Sequence, residues 1–188
     1  MRRLLSGLVA AALAGMLSVA TPTAVEAAPA VPAGWRVVTQ QEAADVVLAS
    51  VFRLRFQHSQ KCLDIIGYRT DDGAPAGQWT CNPAYEPNQR WDMLWHPGQD
   101  EFILQVGHSL KCLDLIGYSR AEGARFGQYS CNYAPNQTFR MLAIGNNVML
   151  QVMHSGLCVD IIGYRTENGA AAGQWTCNGA PNQQLQFA

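Results

Sequence analysis

Residues 62–81 read CLDIIGYRTDDGAPAGQWTC, and two further stretches repeat the pattern. Residues 112–131 read CLDLIGYSRAEGARFGQYSC, and residues 158–177 read CVDIIGYRTENGAAAGQWTC. The likeness extends past the quoted ends. His-Ser precedes each first cysteine (His58, His108, His154), and Pro-Asn-Gln follows each second one, at 87–89, 135–137 and 181–183. Between residues 58–82 and 154–178, 19 of 25 positions are identical. Self-similarity at a near-constant period marks a repeat architecture, in which one unit cannot bury its apolar face alone and its neighbours cover it. The units occupy about residues 51–98, 99–146 and 147–188.

All six cysteines lie in these units, each pair separated by the same 19 positions. Six cysteines allow fifteen connectivities. Only Cys62–Cys81, Cys112–Cys131 and Cys158–Cys177 gives every unit the same local bond. Each bridge closes a loop worth roughly 3 kcal/mol. The spacing His58-x-x-x-Cys62, with its two copies, also raises a metal reading. Two thiols and one histidine per unit fall one ligand short of a closed zinc site, so bridges are expected and no metal or other cofactor.

The beginning of the chain points to export, which suits disulfides. Arg2 and Arg3 precede an apolar stretch over residues 4–20, and Val25-Glu26-Ala27 supplies small residues for cleavage after Ala27. Residues 1–27 are therefore read as a signal peptide and the protein as secreted. An anchor is the alternative, but an interrupted run of that length is short for a bilayer, so no membrane span is expected in the mature protein. Residues 28–50 read as an N-terminal linker and arm, in which Thr39-Gln40-Gln41-Glu42 matches a capping box before a short helix. The full chain carries a net charge of −1, without the clustered basic face that nucleic acid requires. No nucleic-acid partner is expected.

Within a unit the apolar residues alternate, as in Phe52, Leu54 and Phe56 against Arg53 and Arg55, the period of a half-buried strand. Leu63 and Ile65 likewise flank Asp64, predicting an outward-facing carboxylate. Asp72-Gly73, Glu122-Gly123 and Asn168-Gly169 sit where a hairpin turn needs positive φ. A strand carrying Trp79, Tyr129 or Trp175 then leads to each closing cysteine. The fold class is all-β: a threefold barrel capped by hairpins.

Cys-Leu-Asp, an aromatic two before the next cysteine, and Asn-Gln-x-Trp resemble the ricin B-chain type β-trefoil lectins. The pattern is similar too to carbohydrate-binding modules attached to bacterial xylanases, and it covers residues 51–188. The resemblance implies a β-trefoil of about twelve short strands in three lobes, each with room for one shallow sugar site. It implies hydroxyl-binding aspartates at Asp64, Asp114 and Asp160, and stacking aromatics at Trp79, Tyr129 and Trp175. Sugar-contacting asparagines fall at Asn88, Asn136 and Asn182, supported by Gln89, Gln137 and Gln183. An aromatic face suits the C–H patch of a pyranose, while a carboxylate and an amide fix its hydroxyls. The implied partner is a neutral sugar, of galactose type or related, on a polysaccharide or glycoprotein.

The chain departs from the pattern where ricin-like repeats often have Gln: Gly77, Gly127 and Gly173. Gln-x-Trp is complete only at residues 89–91; Phe139 and Leu185 replace its tryptophan, which is read as a core position. Tyr68, Tyr118 and Tyr164 either widen the sugar platform or cover the hairpin. The histidines are read as shaping a turn. Two other function classes stand beside the lectin. A glycosidase needs two carboxylates, with Asp71, Asp72, Glu122 and Glu167 as candidates at turn tips. A trefoil scaffold that binds or inhibits a protein would leave the Asp–aromatic–Asn sets idle.

Overall fold

Strands this short cannot stand alone, so their placement is decided by what closes around them. The structure is a computed structural model describing residues 27–31, 33, 35–46, 52–82 and 86–188. The signal peptide read over residues 1–27 lies outside the described residues except for its last position. Thirteen strands are described: β1 (Arg36–Val37), β2 (Leu54–Phe56), β3 (Cys62–Ile65), β4 (Ala76–Trp79), β5 (Trp91–Trp95), β6 (Phe102–Val106) and β7 (Cys112–Leu115), then β8 (Phe126–Tyr129), β9 (Thr138–Ile144), β10 (Asn147–Val152), β11 (Cys158–Ile161), β12 (Ala172–Trp175) and β13 (Leu185–Phe187). Twelve belong to the trefoil, four to a lobe. The extra strand, β1, pairs with β9.

Six strands form a closed ring. β5 pairs with β6, β6 with β9, β9 with β10, β10 with β13, and β13 with β2. Reciprocal bonds between Phe52 and Trp91, at 3.1 and 2.9 Å, join β2 to β5 and complete the circle. Closure leaves no open edge in the barrel. The alternating side chains Leu54, Phe56, Leu104, Val106, Leu150 and Val152 turn inward and are fully buried. Trp91, Phe139 and Leu185 are buried beside them, so the third position of Gln-x-Trp is indeed core. Only Trp91 has a ring N–H, and it donates to the Leu63 carbonyl at 3.2 Å.

The remaining strands make three hairpins, β3–β4, β7–β8 and β11–β12, which cap one end. Each is joined to its barrel strand and stapled by one of the expected disulfides, with Cα atoms 5.0 Å apart. The sulfurs that a zinc site would use are therefore committed. Thr39 and Glu42 form the capping box of helix α1 (Gln40–Val46): Glu42 N–H donates to Thr39 Oγ1 at 3.2 Å, and Thr39 N–H to the Glu42 carboxylate at 3.0 Å. No helix among the described residues is long and apolar enough to cross a membrane.

The three hairpins meet backbone to backbone. Pro75 pairs with Gly127, Arg125 with Gly173, and Gly77 with Ala171. A Cβ on Gly127 would lie 2.6 Å from the Ala74 carbonyl oxygen, and on Gly77 2.6 Å from that of Ala170. The glycines that depart from the ricin-like pattern are thus the positions where neighbouring lobes come too close for a side chain. Gly127→Ala is expected to destabilise by about 1–3 kcal/mol through overpacking. An unchanged denaturant midpoint would show that the hairpins separate freely.

Candidate functional site

Register places the candidate residues. Asp64 lies opposite Gly77 and Cys62 opposite Trp79, so Asp64 and Trp79 share one face of the hairpin as diagonal neighbours. The same register sets Asp114 against Gly127 and Asp160 against Gly173. Trp79, Tyr129 and Trp175 end their strands exposed, at 43, 44 and 41%. Large aromatics left open in three equivalent places are not core residues.

The aspartates turn away from Leu63 and Ile65 as alternation requires, but they are not open to water. Asp64, Asp114 and Asp160 are 3, 4 and 4% exposed, because the Pro-Asn-Gln turn folds over them. Asn88 Nδ2 and Gln89 Nε2 donate to Asp64 Oδ2 at 3.0 and 2.8 Å. Asn136 and Gln137 do the same to Asp114 Oδ2, at 3.1 and 2.8 Å. Gln183 donates to Asp160 Oδ2 at 3.0 Å, while Asn182 donates to the Ile161 carbonyl at 3.1 Å. Each glutamine is itself held: Gln89 accepts from Asn82 N–H at 3.0 Å and donates to the Thr80 carbonyl at 3.1 Å. All twelve candidate residues thus fall into three sets, with Asp, Asn and Gln brought together and the aromatic on the same face.

A carboxylate ringed by neutral amides keeps its charge at a cost. Burial pushes the Asp64 and Asp160 carboxyls up to about 6, although the amide hydrogen bonds work the other way. Burial also raises Asp114, with the nearby charge of Asp72 adding to it. Two acceptors in the set, Asn136 Oδ1 and Asn182 Oδ1, are buried and have no partner among the described residues. Buried acceptors without partners are rare, and each calls for a donor. In lobe one an open pocket of about 530 Å³ is bounded by Asp64, Tyr68, Trp79, Asn88 and Gln89. Glu86 lines it too, its carboxylate accepting from Asn82 Nδ2 at 3.2 Å. The loop before Pro-Asn-Gln is two residues longer in lobe one, and Ala134 and Ala180 stand where Glu86 does.

The turn-tip acids do structural work, Asp72 and Glu122 between lobes and Asp71 and Glu167 within their own. Asp72 accepts from Ser130 N–H at 2.9 Å and pairs with Lys111 at 2.6 Å. Glu122 accepts from Thr176 N–H at 3.1 Å, and the equivalent Asn168 from Thr80 N–H at 2.9 Å. Asp71 pairs with Arg69, and Glu167 with Arg165. Arg69 holds the Asp71 carboxyl below its ordinary value, and Lys111 does the same for Asp72, opposite to what a general acid needs.

The sequence reading overlooked three glutamines. Gln78 donates to the Arg165 and Glu167 carbonyls of lobe three, at 2.9 and 3.1 Å, and accepts from Ser59 at 2.6 Å. Gln128 donates likewise to Arg69 and Asp71 of lobe one, and Gln174 to Ser119 and Ala121 of lobe two. The signal was the recurrence of Gly-Gln-aromatic 19 residues after each His-Ser serine. The histidines also do more than shape a turn. His58, His108 and His154 reach the Arg165, Arg69 and Tyr118 carbonyls of the preceding lobe, at 2.8, 2.7 and 2.9 Å.

A model of the ricin-type β-trefoil lectin-like domain matches residues 32–129, 87–175 and 135–188. The chain belongs to that family. The matched windows overlap, each beginning about one lobe further on, as fits lobes that are copies of one another. Among solved structures, the trefoil is similar to a designed threefold-symmetric protein, ThreeFoil, with 31% identity and a TM-score of 0.71, over 74% of this chain and 99% of that one. It is similar also to an exo-β-1,3-galactanase from Clostridium thermocellum, with 26% identity and a TM-score of 0.70, over 74% of this chain but only 30% of the enzyme. The C-half of an earthworm R-type lectin, solved with GalNAc, shares the fold at 20% identity and a TM-score of 0.56, over 74% of this chain and 98% of that one. Among curated proteins none matches the chain.

Proposed function

We propose that this trefoil is a secreted, non-enzymatic lectin that binds neutral sugars of galactose type or a close relative. The observation that carries the reading is the threefold set of a buried carboxylate, an amide and an exposed aromatic on one hairpin face. Each set offers a flat apolar surface beside groups that accept and donate hydrogen bonds, the combination a pyranose requires. The galactanase and the GalNAc-bound lectin among its structural relatives support a galactose-type ligand. A catalytic role is disfavoured because three candidate acids are tied down by Arg69, Lys111 and Arg165. Glu86, which shares a pocket with Asp64, has no counterpart in the other lobes.

Single shallow sites bind weakly, but three on one rigid body gain avidity on a polysaccharide or a glycoprotein surface. A glycan array probed with the purified protein is expected to return a coherent set of neutral saccharides sharing one sugar. Silence across the array would overturn the lectin reading in favour of a scaffold that binds a protein.

A further inference from the structure

Just beyond each candidate carboxylate the backbone does something costly. Tyr68, Tyr118 and Tyr164 adopt φ of 57, 54 and 58°, the left-handed region that bulky residues rarely enter. Their rings are also 47, 49 and 50% exposed. A ring placed to fill the core would be buried and would not need this backbone. Strain kept in three copies, with an aromatic displayed at the end of it, belongs with functional constraint.

The following lobe holds each tyrosine. The His108 ring lies 5.1 Å from that of Tyr68, His154 3.9 Å from Tyr118, and His58 5.1 Å from Tyr164. The same histidines bond the backbone beside the ring, at Arg69, Tyr118 and Arg165. A carbonyl only accepts, so Nε2 carries the proton. Nδ1 is buried without a partner among the described residues in all three. These histidines therefore spend their one polar contact on the tyrosine turn.

The register orders what stands along the hairpin. Trp79 sits opposite Cys62, Asp64 opposite Gly77, and Ile65 opposite Ala76, after which the chain turns through Ile66–Tyr68. The carboxylate thus lies between two aromatics, and both line the open pocket of lobe one. We infer that Tyr68, Tyr118 and Tyr164 form a second wall that stacks on the next sugar unit of a chain. His108, His154 and His58 are their positioning residues. The inference rests on the lectin reading and narrows its ligand to an oligosaccharide, not a lone terminal sugar. Each site is then completed by the next lobe, and lobe one supplies the histidine for lobe three.

The test uses the Asp114→Ala/Asp160→Ala protein, which keeps lobe one, titrated with galactose and with β-1,3-galactotriose. Tyr68→Ala is expected to weaken the trisaccharide about fivefold to tenfold, the worth of one aromatic contact, and galactose far less. Tyr68→Phe keeps the ring and is expected to bind as the parent does. His108→Ala should reproduce Tyr68→Ala, and His108→Gln, which retains a donor, should restore much of the loss. In the reciprocal Asp64→Ala/Asp160→Ala protein, which keeps lobe two, His108→Ala should change nothing, because His154 serves that site. Unchanged trisaccharide binding by Tyr68→Ala overturns the second wall. Equal weakening of both lobes by His108→Ala overturns the positioning role and reduces it to stability. Should the unsubstituted protein bind sugars on the array while the lobe-one protein binds neither probe, this inference fails and the lectin reading stands. Should neither protein bind any sugar, both fall.

Discussion

Gln128→Leu is expected to destabilise the protein by about 2–4 kcal/mol, because it removes three buried hydrogen bonds worth about 0.5–1.5 kcal/mol each. The side chain is fully buried, and its amide satisfies the Arg69 and Asp71 carbonyls at 2.9 and 3.1 Å. Its oxygen accepts the Ser109 hydroxyl at 2.6 Å. Leucine matches the volume but removes all three bonds: the Arg69 carbonyl keeps only His108, the Asp71 carbonyl keeps only the Ala74 N–H at 3.3 Å, and the Ser109 hydroxyl loses its acceptor. The loss should appear in urea unfolding as a lower midpoint with an unchanged slope. Ser109→Ala, which strands only one acceptor, should cost about 1 kcal/mol. A Gln128→Leu midpoint within experimental error of the parent would mean that water reaches these carbonyls and that the glutamine clamps nothing.

The second large effect is on binding. Asp64→Ala/Asp114→Ala/Asp160→Ala is expected to abolish the array signal in a folded protein, and the pH dependence should show the same chemistry without mutation. A sugar hydroxyl bonds a carboxylate more strongly than a neutral carboxyl, and burial pushes the Asp64 and Asp160 carboxyls up to about 6. Between pH 7 and pH 5 the ionised fraction, and with it affinity at these lobes, should fall about tenfold. Stability should move the other way. The ordinary value is 3.8, so between about pH 4 and pH 6 the folded state holds more protons than the unfolded chain. The contribution of these two groups is therefore greatest below the unfolded value and is lost as pH rises through the folded one. Weaker binding at pH 5 without a lower thermal midpoint is the expected pair of observations. Binding unchanged from pH 7 to pH 5 would remove the aspartates from the site, and so would a triple variant that binds like the parent.

Equivalence was easy to read from the sequence, and direction was not. The repeats identified which residues correspond, and from that followed the disulfide pairing, the barrel with its hairpin cap and the buried third position of Gln-x-Trp. Register and strand alternation then put each aromatic beside its aspartate. The burial of Asp64 was hidden because its cover comes from Asn88 and Gln89, far along the chain. The roles of Gln78, Asp72 and His58 were hidden for a stronger reason: each acts on another lobe. A periodic pattern cannot say which neighbour a side chain faces. The glycines stood out only as departures from the ricin-like pattern for the same reason, since the carbonyl that excludes a side chain belongs to the adjacent hairpin.

Arg53 and Ala188 exchange two backbone bonds of 3.0 Å each, so the strand entering lobe one lies against the strand leaving lobe three. Topologically the ring has no first lobe. A permuted chain, joined across this ladder and opened at the Gly145-Asn146 turn, would preserve every pairing that shapes a site. A single excised lobe would keep its stapled hairpin but lose the contacts of Gln78, Asp72 and His58 with other lobes, and could recover them only by gathering two more copies of itself.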